Sequence, residues 1–198
     1  MCGGVISGFF RYPVERNILA RVANIPESEK PLRIALTGFM GVGKTSVARH
    51  LSNLLKCERL DLDSLIEANE QRRIAEIIDS EGLEIYRRIE TENLGFALAR
   101  RNIRILSLGG GTWTIARNRE MIRSEGLTTV WLDAPFSHCW SNISRSRKER
   151  PLARNKSATE ELFNERQDVY CLADWHFVVR PDRSSYEIAQ QICEEVFC

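Results

Sequence analysis

No apolar run in the 198-residue sequence approaches the length needed to span a bilayer, which argues against an integral membrane protein. An excess of one charge is missing too: 28 Lys and Arg against 27 Asp and Glu leave a net +1. Such a chain has no global field to draw nucleic acid or an anionic membrane, so any anion site must be local. The six cysteines, Cys2, Cys57, Cys139, Cys171, Cys193 and Cys198, include no Cys-x-x-Cys pair and no metal-like cluster. The N-terminus has no basic region ahead of its short apolar stretch, so no secretory signal supports an oxidising compartment. Reduced thiols and a cytoplasmic location are expected. Internal repeats and low-complexity tracts are absent as well.

What is present is ordinary hydrophobic (43%) and charged (28%) content in a chain long enough for one domain with a proper core. Residues 1–31 read as a loosely structured extension, or a product of start-site choice, ahead of a domain over 32–198. From residue 33 short apolar runs alternate with helical periodicity, the pattern of βαβ units around a parallel sheet. Strands are predicted at 33–37, 58–62, 103–108, 128–132 and 176–179. Between them, Val47, Leu51, Leu54 and Leu55 mark one helix, Ile74, Ile77 and Ile78 another, and Ile188, Ala189 and Ile192 the last. Gly82 is expected to break one helix from the next. Residues 144–157, SRSRKERPLARNKS, interrupt the rhythm and read as a basic loop or lid.

Gly38-Phe39-Met40-Gly41-Val42-Gly43-Lys44-Thr45 fits G-x-x-x-x-G-K-[ST], with a strand before it and an amphipathic helix after. The glycines let backbone amides turn toward phosphate oxygens, and the helix N-terminus adds its positive end. Gly38, Gly41, Val42, Gly43, Lys44, Thr45 and Ser46 are therefore candidate nucleotide contacts. Lys44 would reach the β- and γ-phosphates and Thr45 would hold Mg²⁺. The third strand ends without an acid, but Asp61 and Asp63 stand at the end of the second. Two residues apart on an extended chain, both can face the nucleotide. One suits the metal and the other the attacking hydroxyl. A helix cap is the plain alternative for Asp63, and Asp133 is a rival metal carboxylate that a cap would also explain.

In order, the segments LTGFMGVGKT, RLDLDSLIE, IAEIIDSEGLEIYRRIE, LSLGGG, RPLAR and ERQDVY resemble shikimate kinase, over residues 33–196. The resemblance implies a three-layer α/β fold: a five-stranded parallel sheet of the P-loop, nucleoside-monophosphate-kinase-like class with a mobile lid. It implies transfer of the ATP γ-phosphoryl to the 3-hydroxyl of shikimate, with one Mg²⁺ per subunit, in a monomer. Arg87 and Arg166 would clamp the substrate carboxylate, a planar two-point grip that Lys could not supply. Glu84 and Glu90, three residues either side of Arg87, could brace it. Gly109, Gly110 and Gly111 would let backbone approach the substrate. Asp63 would take the ring hydroxyls, Asp61 the metal, with Ser107 assisting through water. Arg150 would be the lid arginine at the transferring phosphoryl, making Lys44, Asp63 and Arg150 the catalytic set. The substrate segment is expected near 63–92 and the lid near 144–157.

The match departs at Ile143, where the family often has Arg seven residues before the lid arginine; Arg145 or Arg147 is the expected substitute. Tyr86 replaces a frequent Phe, Leu83 an acid, and the adenine loop is expected near 180–184. A related small-metabolite kinase, such as a gluconate kinase, and a catalytically silent binding protein are the alternatives. The joint presence of Lys44, Thr45, Asp61, Asp63, Arg87, Arg150 and Arg166 weighs against the silent one.

Overall fold

The computed structural model describes residues 31–197, so the expected extension over 1–31 lies outside the described residues apart from Pro31, as does Cys198. Five strands form one all-parallel sheet: β1 (Ile34–Thr37), β2 (Glu58–Asp61), β3 (Ile103–Ser107), β4 (Thr128–Asp133) and β5 (Trp175–Val178), ordered β2-β3-β1-β4-β5. All four β1 residues are buried, as a central parallel strand covered on both faces requires, whereas the edge strands β2 and β5 keep exposed positions.

The helices are α1 (Lys44–Leu55), α2 (Leu62–Glu70), α3 (Ile74–Glu81), α4 (Leu83–Ala99), α5 (Ala116–Ser124), α6 (Phe136–Arg145), α7 (Lys156–Tyr170) and α8 (Ser185–Val196). Periodicity explains their seating: Val47, Leu51 and Leu55 of α1 are buried, as are Ile188, Ala189 and Ile192 of α8, and these two helices pack together. Gly82 separates α3 from α4 as expected, at φ 88°. Among the described residues no helix is long and apolar enough to cross a membrane, and Cys57, Cys139 and Cys171 are free thiols.

Two expectations are corrected here. The span 144–157 is not loop throughout, because α6 runs to Arg145 and α7 starts at Lys156; the remainder holds a 3₁₀ turn at Pro151–Ala153. Residues 61–63 are not extended throughout. Asp61 ends β2 and caps α2, its carboxylate accepting from Ser64 N at 3.1 Å, so Asp63 lies in the first helical turn. The helix cap is thus Asp61 and not Asp63.

The strand order reverses direction about β1: the chain leaves for β2, returns through β3, then crosses to β4. Ligands in such sheets bind at the carboxyl ends beside this reversal. There the segments after β1, β2 and β3 bring the 38–43 loop, Asp61 with Asp63, and Gly109–Gly111 to one edge.

Candidate active site

The loop after β1 turns through Gly38 at φ 131°, a left-handed conformation that suits glycine; a Cβ there would also meet Leu132 O at 2.4 Å. It leads into α1 and lines a cavity of about 610 Å³ with residues 40–47, Asp61 and Asp63. Gly38 itself is behind the wall, where its carbonyl accepts from Lys44 Nζ at 2.7 Å; the Phe39 carbonyl accepts from the same ammonium at 3.0 Å. Lys44 is only 8% exposed, and burial pushes its pKa down to about 8, with the Asp63 carboxylate opposing the shift.

Thr45 Oγ1 donates to Asp61 Oδ2 at 2.8 Å on the same wall. These are hard oxygen donors of the type Mg²⁺ accepts, and a cation held largely by phosphates needs only one or two of them. Ser107, paired in register with Asp61, has a buried hydroxyl without a hydrogen-bond partner. No cluster of three or more His, Cys, Asp or Glu capable of holding a metal occurs among the described residues. Thr45 and Asp61 fit a metal that arrives with a nucleotide. Asp133, the rival, is drawn off: it accepts from or pairs with His176 Nε2 at 3.0 Å, and Pro135 is the cap residue of α6.

A second pocket of about 90 Å³ adjoins the first and is lined by Asp63, Tyr86, Arg87, Gly110, Gly111 and Arg166, with lid residues over it. α4 carries Arg87 inward, where Glu90 Oε2 takes its Nη1 at 2.6 Å. Glu90 is fully buried; its other oxygen accepts from Thr112 Oγ1 at 2.7 Å. Glu84 makes no ion pair with Arg87, so the bracing is one-sided: the helical turn that buries Glu90 carries Glu84 outward. Arg166 of α7, 7% exposed, donates to Gly110 O at 3.0 Å, and the Tyr170 hydroxyl one turn on bonds the same carbonyl.

The three glycines are packed, not slack. A Cβ on Gly111 would sit 2.2 Å from Arg87 Nη2, and one on Gly109 would sit 2.9 Å from Asp63 Oδ1. Gly109 stays behind the pocket wall that Gly110 and Gly111 form. Burial beside Glu90 drives the Tyr86 hydroxyl far above its usual pKa, so it stays protonated.

Arg150 lines both cavities, with its Nε buried and without a partner. Desolvation lowers its pKa, and Asp63 opposes that shift. Sequence reasoning missed Lys148 as a distinct member: its Nζ meets Asp63 Oδ2 at 3.3 Å. Neither expected substitute for the family arginine at 143, Arg145 or Arg147, is on the cavity wall. Ile143 is buried, and Arg145 folds back on Ser141 O and Asn142 Oδ1. His138, Asn142 and Arg183 line that end of the larger cavity instead, Asn142 donating to Gly41 O at 2.8 Å. Of the expected 180–184 loop, Arg183 alone reaches the wall, beside Val179 and Ser185. Positions 138, 142 and 145 share one face of α6; what separates them is that Arg145 folds back onto its own helix while His138 and Asn142 line the cavity.

A family model described as shikimate kinase matches residues 40–197. A shikimate kinase of Lactococcus lactis is 37% identical over 166 residues, covering 83% of this chain and 98% of its own length. One of Persephonella marina is 31% identical over 160 residues, covering 80% and 95%. Among solved structures, shikimate kinase from Acinetobacter baumannii in complex with shikimate superposes with a TM-score of 0.77 at 31% identity, covering 84% of this chain and 93% of that one.

Proposed function

The chain belongs to the shikimate kinase family, whose model spans most of it, and from that premise we propose how its residues divide the transfer of a phosphoryl group from ATP to shikimate. The observation that carries the reading is the meeting of two cavities at Asp63, one walled by the glycine-rich loop and Lys44, the other by Arg87 and Arg166.

The triphosphate lies along the 40–46 backbone, with Lys44 exchanging its carbonyl bonds for β- and γ-phosphate oxygens. Thr45 and Asp61 hold Mg²⁺, which when bound neutralises charge on the phosphate oxygens. Gly38 shapes the loop from behind. In the smaller pocket Arg87 and Arg166 take the shikimate carboxylate, each already fixed, by Glu90 and by Gly110 O. Holding both guanidiniums in place before binding lowers the ordering cost that flexible side chains would incur. Gly110 and Gly111 bring backbone against the ring, and Asp63 accepts the 3-hydroxyl.

In the step itself the acceptor oxygen attacks the γ-phosphorus in line. The P–O bond to the β,γ-bridging oxygen breaks with its electron pair leaving on ADP, and the hydroxyl proton passes to Asp63. Arg150, held by the lid over both cavities, neutralises the transferring group. Because the transition state is loose, positioning and charge outweigh proton removal. The product, shikimate 3-phosphate, places the enzyme in aromatic amino-acid biosynthesis. All proposed contacts come from one chain, which supports a working monomer, and a cytoplasmic enzyme agrees with its substrates. Release of ADP, coupled to NADH oxidation, is measured with and without shikimate. The reading requires release that depends on shikimate and is not matched by gluconate.

A further inference from the structure

Outside the residues already assigned, the lid places one more cation at the junction of the two cavities. Met40, Asp63, Gly110, Lys148 and Arg150 line both. Lys148 Nζ lies 3.3 Å from Asp63 Oδ2, with both side chains partly exposed. The same carboxylate opposes the lowering of the Lys44 and Arg150 pKa values by burial, so its field reaches three cations, one on α1 and two on the lid. One carboxylate does not neutralise three cations. The residual positive charge is concentrated where the γ-phosphoryl must cross.

The lid turns locally before this lysine and is tied to α3 after it. Lys148 N donates to Ser146 Oγ at 3.1 Å. Arg154 grips both oxygens of Asp79 on α3, at 2.6 and 3.1 Å, and also Glu149 Oε1 at 2.9 Å. A two-point guanidinium grip fixes direction as well as distance. Segment 148–150 therefore presses against the cavities with Lys148 and Arg150 inward.

We propose that Lys148 is a second lid cation of the transfer site: held by Asp63 before acceptor binds, it moves to the phosphoryl oxygens once the acceptor hydroxyl takes Asp63. The role rests on the kinase reading above. Bond changes are those of that step; Lys148 contributes charge only and keeps its proton throughout. The ammonium is swept in as the lid closes, so its attraction to the phosphoryl is greatest when water is excluded.

Lys148→Met keeps the stem and removes the charge; Lys148→Arg keeps the charge. With ATP, Mg²⁺ and shikimate, kcat of Lys148→Met is expected to fall on the order of 10²-fold, with both KM values within about threefold of the parent. Lys148→Arg recovers at least about a tenth of parental turnover. Independently of turnover, Lys148→Met weakens the complex with ADP and aluminium fluoride far more than that with ADP alone. A kcat within about threefold of the parent, or a lowered shikimate KM with faster turnover, overturns the proposal; the second result would mean that the lysine only blocks Asp63. A parent that releases no ADP in response to shikimate sinks the kinase reading, while the fluoride comparison still decides Lys148.

Discussion

The two cavities that meet at Asp63 are built in opposite ways. The larger one has one long continuous stretch in its wall, residues 40–47 of the glycine-rich loop and the first turn of α1, completed by shorter pieces from the rest of that edge. The smaller is lined by side chains from α2, α3, α4, the lid and α7, with Met40 and the backbone of Gly110 and Gly111, segments far apart in the chain. A backbone cradle recognises what all triphosphates share, while a side-chain pocket recognises one acceptor. Chemistry should therefore fail when the first is damaged, and affinity for the acceptor when the second is.

The largest expected effect tests the first half of that contrast. Lys44→Ala and Arg150→Ala should each lower kcat by about 10³-fold or more, with shikimate binding measured by calorimetry little changed. Equal losses in shikimate affinity would erase the distinction. Next, Arg166→Ala should raise the shikimate KM about 10- to 100-fold while kcat falls less, since it removes one of two buried grips. An unchanged KM would show that the carboxylate binds elsewhere.

A smaller effect sharpens the cradle. Burial holds the Lys44 pKa near 8 in the empty enzyme, below its ordinary value, whereas bound phosphate favours the charged form. Below pH 8 the lysine is already protonated and ATP affinity should be flat. Above it, binding must take up a proton, and the Kd should rise by up to about tenfold per pH unit. Calorimetry in buffers of different ionisation enthalpy would detect that proton. Affinity that stays flat across pH 8 would mean the lysine is charged throughout.

The smallest effect concerns the join between the regions. The Arg154–Asp79 pair is half exposed, so Asp79→Ala should reduce kcat only by about two- to fivefold and leave thermal stability nearly unchanged. The exchange Asp79→Arg with Arg154→Asp should restore some of the loss. Restoration that fails, with single variants fully active, would detach the lid's position from this pair.

The sequence by itself determined what depends on neighbours along the chain. The strand–loop–helix around Gly38–Thr45, the alternation of five strands with helices, and the break at Gly82 all follow from local conformational preference and periodicity, and all are present. The ordered motifs also picked out Arg87, Arg150 and Arg166. What only the tertiary structure decided was direction and partnership. Asp63 reaches the junction from a helical turn, since Asp61 caps that helix through one of its oxygens. Glu90, not Glu84, holds Arg87; Asn142 and His138 line the wall that Arg145 or Arg147 was expected to reach; Lys148 finds Asp63 across 85 residues of chain. The reason is physical. A side chain's rotation about a helix and its distance from a remote carboxylate are set by how whole elements pack, and no window of sequence contains both partners.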